Sequence, residues 1–156
     1  MEKTFVLLKP DAVQKGRLGA IVSRFEEKGL KLVAAKLIQL NDKMLDEHYA
    51  QYVGKGFFQR LKEFMSSTPV LAMAWEGVDA VKVVRALCGA TNGREAMPGT
   101  IRGDYSMSIQ SNLIHASDSL ETANKEIARF FSKNEVLASF KKVDFDLSYA
   151  DDEKKM

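Results

Sequence analysis

The chain has 156 residues, 46% of them hydrophobic and 28% charged, an ordinary globular balance at a length that buries a core without a disulfide or metal staple. Its 23 Lys and Arg against 21 Asp and Glu leave a net charge of +2. That is too little to hold nucleic acid or an anionic membrane by bulk electrostatics, whereas a small polyanion needs only local charge. Cys88 is the only cysteine, which excludes an intrachain disulfide and fits a reducing compartment. The longest apolar run, "VLAMAW" at residues 70–75, is far short of a membrane span. "MEKTFVLLKPDA" holds four consecutive apolar residues before Lys9, where a signal peptide needs a longer core, so a cytoplasmic protein is expected.

In chain order, "TFVLL" (4–8) reads as a buried strand ended by "KPDA", because Pro10 cannot sit inside a central strand. Leu18, Ile21, Val22 and Phe25 recur at helical spacing up to Gly29, a C-terminal cap. "LKLVAAKLIQL" (30–40) reads as a second strand. Asn41 and Asp42 then cap a helix carrying Met44, Leu45, His48, Tyr49 and Tyr52 on one side. Phe57, Leu61, Phe64 and Met65 stripe another helix, "PVLAMAW" (69–75) is a third strand, and Val81, Val84 and Cys88 stripe the next helix. "GATNGREAMPGTIRGD" (89–104) has four glycines, one proline and no period, and loops of that length in compact domains usually carry function. Alternation at Tyr105, Met107 and Ile109 predicts the fourth strand. Leu120, Ala123, Ile127, Phe130 and Phe131 predict a last helix, with Asp118 and Glu121 at capping-box spacing, and "ADDEKKM" reads as a frayed end. The order β-α-β-(α-α)-β-α-β-α suits an α/β sandwich, a ferredoxin-like four-stranded antiparallel sheet with helices packed on it and one helical insertion, in a single domain over 1–156 with a tail from about 141.

One titratable ring stands out. His115, in "NLIHASD" (112–118), is read in a strand-to-helix connection, ahead of a helix whose free N–H groups favour a phosphate. A lone histidine is more often packed or solvated than reactive, but neutral imidazole is a competent nucleophile. Lys9 ends the first strand, Arg85 lies near a helix end, and Arg94 and Arg102 sit in the long loop. Each alone is an unremarkable surface cation, yet several cations on irregular backbone around one histidine suit a polyphosphate. No G-x-x-x-x-G-K-[ST] loop, protein-kinase signature or metal-ligand cluster appears, so magnesium would have to arrive on a substrate's phosphates. "KGFF" (55–58) faintly matches an RNA-binding strand motif, but the apolar residues after it have helical spacing.

"NLIHASD" resembles the signature N-x-x-H-[GA]-S-D of nucleoside diphosphate kinases. "LLKPDAVQKG", "DEHY", "FF", "PVLAMAWEG", "GATN" and "PGTIRGD" resemble further segments of that family, in order and at compatible spacings across residues 3–131. The resemblance implies the ferredoxin-like fold and transfer of a γ-phosphoryl group from ATP or another nucleoside triphosphate to a nucleoside diphosphate. His115 would be the nucleophile, through a pros-phosphohistidine; the residues by themselves leave either ring nitrogen open. Lys9 and Asn112 would contact the ribose hydroxyl and nearby phosphoryl oxygens, and Arg85, Thr91 and Arg102 would hold the phosphates, with His48 and Tyr49 close by. Phe57 would stack on the base with Leu61 and Ile109, and Glu126 and Ser117 would orient His115. Magnesium would come with the nucleotide, with no metal ligand from protein side chains, and the chain would form a homo-oligomer, a hexamer first. Ala12, Ala116, Gly93, Lys55 and Gly56 depart from the commonest family residues. Gly93, where proline is frequent, is expected to loosen the long loop.

Two other readings compete. A non-catalytic nucleotide-binding module on the same fold is favoured if His115, Lys9 or Asn112 is missing, and all three are present. A nucleic-acid-binding or interaction protein wants a basic stripe and alternating aromatics on a strand, and neither is found.

Overall fold

The computed structural model describes residues 1–155. Four strands, β1 (Glu2–Leu8), β2 (Lys31–Ile38), β3 (Val70–Gly77) and β4 (Ile114–Ala116), form one antiparallel sheet in the order β2-β3-β1-β4. β1 is central and buried from Thr4 to Leu8, and its alternation feeds two cores. Val6 and Leu8 face a cluster with Ile21, Phe25, Val84 and Cys88, from α2 (Leu18–Glu27) and α5 (Ala80–Cys88). Phe5 and Leu7 face a second cluster with Leu45, Met65 and Phe130, from α3 (Asp42–His48), α4 (Phe58–Ser66) and α7 (Leu120–Phe130). The sheet is therefore covered on both faces, and the α3–α4 pair is the predicted insertion.

Local chemistry sets several boundaries. Asn41 caps α3 by accepting from Met44 N–H at 3.0 Å. The helix stops at His48, and a 3-10 turn, Ala50–Tyr52, carries Tyr52. "KPDA" does more than end β1: Pro10 opens a short helix, α1 (Pro10–Gln14), with proline at its first position. The long loop likewise ends in a helix, α6 (Ile101–Tyr105), capped by Thr100, whose hydroxyl accepts from Gly103 N–H at 3.1 Å.

The fourth strand differs from expectation. Tyr105 ends α6, and Met107 and Ile109 are 75% and 62% exposed. Ser106 and Ser108 turn this segment on itself. Ser106 Oγ donates to the carbonyls of Ser108 and Ser111, and Ser108 Oγ accepts from the N–H groups of Gln110 and Ser111. These local bonds replace a strand ladder. The strand is instead Ile114–Ala116, and His115 lies within it, opposite Leu7. The α7 cap is Ser119, accepting from Thr122 N–H at 3.1 Å, in place of Asp118.

Gly93 is not a loosening residue here. Its N–H donates to Ser108 O at 3.2 Å, and an added Cβ would collide with Ser106 backbone and side chain. Beyond α7 the chain runs along the β2 edge: Leu137 N–H donates to Val33 O, and Lys31 Nζ donates to the carbonyls of Ala138 and Phe140. A last short helix, α8 (Phe145–Ser148), and a 3-10 turn, Glu153–Lys155, follow. The expected fraying of the end concerns Met156 as well, which lies outside the described residues.

Candidate active site

A cleft of about 610 Å³, within the range of small-molecule sites, opens between the α4 region and the β1–β4 edge. Lys9, Arg85, Arg102, Asn112 and His115 line its inner part, and Phe57, Leu61 and Ile109 its rim. Thr91, Tyr49 and Glu126 also border it.

His115 reaches the cleft because β4 pairs with β1. Its side chain shares the Leu7 face, so the ring lies against α7 and the second core. His115 Nε2 is 2.8 Å from Glu126 Oε1, and the other carboxylate oxygen accepts from Ser117 Oγ in a short hydrogen bond. Glu126 and Ser117 are buried, Glu126 with only its edge on the cleft. A carboxylate only accepts, so it selects the Nε2–H tautomer and leaves Nδ1 with the free lone pair.

His48 lies behind this pair. Its side chain is 1% exposed and its ring centroid is 4.9 Å from that of His115. The resemblance puts it close to the phosphates as a nucleotide-binding residue, but it does not line the cleft: the short α3 buries it in the second core region. Arg129 donates to its Nδ1 at 3.2 Å, which puts the His48 proton on Nε2. Burial, with help from the charges of His115, Arg129 and Lys9, holds the His48 pKa down at about 2, so the ring stays neutral. Its buried Nε2 has no partner among the described residues. Ligand atoms of His48, His115 and Glu126 lie within 4.8 Å of one another. However, Arg129 occupies the His48 Nδ1 lone pair and Glu126 holds the His115 Nε2 proton, so the trio is not arranged as a set of free donors.

Lys9 and Asn112 form a second locked pair. Lys9 Nζ donates to Asn112 Oδ1 at 2.6 Å, and Asn112 Nδ2 donates to the carbonyls of Thr91 and Ile109, each at 2.9 Å. Burial and the neighbouring Arg102 charge lower the Lys9 pKa to about 8, against the opposing pull of Asp11. Arg102, on α6, donates to the carbonyls of Gly89 at 2.8 Å and Ile114 at 2.6 Å, with a longer contact to Asn112 O at 3.4 Å. Three of its five N–H groups are thus committed to backbone and two remain. Arg85 and Thr91 are exposed at the cleft wall. Arg94, singled out from sequence as a cation, instead donates to Met107 O and braces the loop. Tyr49 is buried, and burial raises its pKa.

At the rim, Phe57 is 44% exposed and meets Tyr52 edge-on at a 5.3 Å centroid distance. Sequence reasoning missed Asp11, Arg129 and Arg60. The first two act on backbone or on His48 across the fold, and Arg60 borders the cleft from α4, one position before Leu61.

A histidine fixed by a buried carboxylate, ringed by Lys and Arg at the closed end of a cleft with an aromatic rim, defines a site for phosphoryl chemistry on a nucleotide-like molecule. Residues 2–136 match the family model described as Nucleoside diphosphate kinase. A nucleoside diphosphate kinase of Parabacteroides distasonis is 60% identical over 136 residues, 87% of this chain and 89% of that protein. Nucleoside diphosphate kinase 3 of Mus musculus is 53% identical over 87% of this chain and 80% of its own length. Among solved structures, a halophilic nucleoside diphosphate kinase from Halobacterium salinarum in complex with CDP superposes with a TM-score of 0.92 at 45% identity, covering 96% of this chain and 99% of that one. The chain belongs to the nucleoside diphosphate kinase family.

Proposed function

We propose that the cleft takes a nucleoside di- or triphosphate with its base on Phe57, between Leu61 and Ile109, and its phosphates among Lys9, Arg85, Thr91 and Arg102. Asn112 and Lys9 meet the ribose and the adjoining phosphoryl oxygens, and Tyr49 shapes the wall. His115 Nδ1 attacks the γ-phosphorus of ATP. The P–Nδ1 bond forms as the bond to the β,γ-bridging oxygen breaks, and that oxygen leaves with its electron pair on ADP. In the second half, a terminal β-phosphate oxygen of another nucleoside diphosphate attacks the same phosphorus and returns the electron pair to Nδ1. Glu126 accepts from Nε2–H throughout and offsets the positive charge of the phosphoimidazole, and Ser117 holds Glu126. The observation that carries this reading is the Nε2–Glu126 contact at 2.8 Å, which leaves Nδ1 as the nucleophilic nitrogen.

Phosphoryl transfer has a loose transition state with charge spread over the equatorial oxygens, so aligned Lys and Arg donors do most of the work. Magnesium fits as a passenger on the nucleotide. Of the two carboxylates bordering the cleft, Glu126 is engaged by His115 and Ser117, and exposed Asp118 suits an ion that keeps its waters and phosphate ligands. Carried on the nucleotide, it would neutralise phosphate charge. Stacking on Phe57 discriminates poorly between bases, so the nucleotide range is broad.

Incubation with γ-labelled ATP tests the reading. The expected label on the protein is acid-labile and base-stable, and GDP or CDP discharges it. Double-reciprocal plots with donor and acceptor varied run parallel. A label that survives acid, or intersecting lines with no isolable phosphoenzyme, would reject the covalent route.

The oligomer is a homo-hexamer in this reading, with loop 89–104 near subunit contacts. Support comes from the loop's length and from Met97 and Met107, 72% and 75% exposed. Sedimentation at micromolar concentration gives one hexameric species; a monomer sinks the idea, and a dimer or tetramer corrects it. No helix is long and apolar enough to cross a membrane among the described residues. A cytoplasmic location fits that and the single, unpaired, buried Cys88.

A further inference from the structure

Leu113 stands out on backbone grounds. It has φ +70°, one of two non-glycine residues with positive φ among those described. Ile114 N–H donates to Asn112 O at 2.8 Å, so Leu113 is the central residue of a three-residue turn of the rare, strained, positive-φ kind. Such a conformation is strained and persists only where its surroundings over-determine it. The turn lies between Asn112, which meets Lys9, and β4, which carries His115.

Residues 9–11 hold both peptide groups of Leu113. Lys9 N–H donates to Leu113 O at 2.8 Å, and Asp11 Oδ2 accepts from Leu113 N–H at 3.0 Å, across 102 positions of sequence. Asp11 is 7% exposed, and its other oxygen, Oδ1, is buried with no partner among the described residues. Serving only as a favourable first-turn acid for five-residue α1 would not require burial. A half-satisfied buried carboxylate is costly, and here it is spent on one backbone N–H in the nucleophile's segment.

We propose that Asp11 is a positioning residue for phosphoryl transfer: its carboxylate locks the Leu113 turn, and the turn aims Asn112 and His115 into one cleft. The inference rests on the phosphohistidine reading above. A second consequence is electrostatic. The charges that act on the Lys9 ammonium are Arg102 on α6 and Asp11 on α1; Arg85 on α5, Glu126 on α7 and His115 on β4 line the same cleft, and neutral His48 on α3 feels the Lys9 charge. Asp11 is the acid that favours the charged form of Lys9.

The test measures the single-turnover rate of His115 phosphorylation by ATP, with thermal unfolding recorded alongside. Wild-type protein must first form the acid-labile phosphoenzyme; if it does not, the phosphohistidine reading fails, and Asp11 is not what failed. With wild type active, Asp11→Ala lowers the rate about 10- to 100-fold, the size typical of lost orienting partners. Adding Leu113→Gly to Asp11→Ala then raises the rate at least about threefold, because glycine adopts positive φ without strain. The same change lowers the unfolding temperature, because it removes a fully buried side chain. A purely structural Asp11 predicts that rate and stability fall together in the double variant. Asp11→Asn keeps an acceptor for Leu113 N–H and guards against misfolding of the alanine variant. It retains kcat within about threefold, and its kcat/KM falls off at lower pH than wild type because Lys9 loses its acid. A wild-type rate in Asp11→Ala overturns the proposal. So does a double variant no faster than Asp11→Ala, or an Asp11→Asn loss of kcat as large as that expected for alanine.

Discussion

The inner and outer ends of the cleft are held in different ways. At the inner end, Lys9, Asn112, Arg102, His115 and Glu126 are tied to one another or to backbone by contacts of 2.6–3.4 Å, and Lys9, Asn112 and Glu126 are buried. At the outer end, Phe57 and Ile109 are 44% and 62% exposed, and Phe57 is steadied by an edge contact with Tyr52. Preorganised donors lower a barrier because they need no reorientation as charge develops. A base-stacking rim needs the opposite, since rigid polar complementarity there would reject all but one base. On the proposed reading, chemistry belongs to the inner end and tolerant recognition to the outer.

The largest expected effect breaks the inner end. His115→Ala abolishes nucleoside diphosphate-dependent transfer, by on the order of 10⁴-fold or more, because it removes the reacting atom. Nucleotide affinity stays within about threefold, since Lys9, Arg85 and Arg102 supply the binding charge. Coupled turnover assays and equilibrium dialysis separate the two. An alanine variant that still accepts acid-labile phosphate would make His115 structural and would direct attention to His48.

That end was legible from sequence to different degrees. His115 and Lys9 suggest a phosphate site only when taken together with the arginines, Asn112 enters through the family resemblance alone, and the helices around them carry strong apolar stripes. The strand under His115 was not legible. Three residues are too short to show a period, and Tyr105, Met107 and Ile109 offered a false one that serine side chains had already broken. Arg129 against His48, and Asp11 against Leu113, are pairings 81 and 102 positions apart, and no local pattern encodes them. The helical content of "KPDA" was hidden because proline ends a strand and opens a helix equally well. The Ser119 cap of α7 was masked by an acidic neighbour with the right spacing to Glu121.

Next in size, Glu126→Gln sharpens the inner end without removing its nucleophile. The amide no longer selects a single His115 tautomer and offsets no charge, so kcat falls about 10- to 100-fold, by analogy with orienting partners of metal-bound histidines. The test is the order: loss equal to that of His115→Ala would make Glu126 indispensable to the reaction, and no loss would remove it from the mechanism.

At the outer end, Phe57→Ala weakens nucleotide binding by about 1–3 kcal/mol, and by similar amounts for purine and pyrimidine. Calorimetric titration with ADP and CDP checks both. Phe57 also begins the Phe57–Leu61–Phe64 stripe of α4. Lost folding stability with unchanged affinity in the folded fraction would therefore return it to the core.

The effect smallest at its midpoint, about twofold, comes from Lys9 and bears on both ends. Its free-enzyme pKa is lowered to about 8, first by burial and then by Arg102. Bound phosphates favour the ammonium, so nucleotide binding raises that pKa, and above pH 8 binding must take up a proton. The sign follows: affinity and kcat/KM fall as pH rises through about 8, by about twofold at the pKa and tenfold per unit beyond it. His48, held neutral with a pKa of about 2, contributes no competing limb in this range. A kcat/KM profile from pH 6 to 10 reads the limb directly, and ADP should follow the same curve as CDP, because the proton belongs to the phosphate end. A limb that moved with the identity of the base would place the titrating group at the rim and undo the division between the two ends.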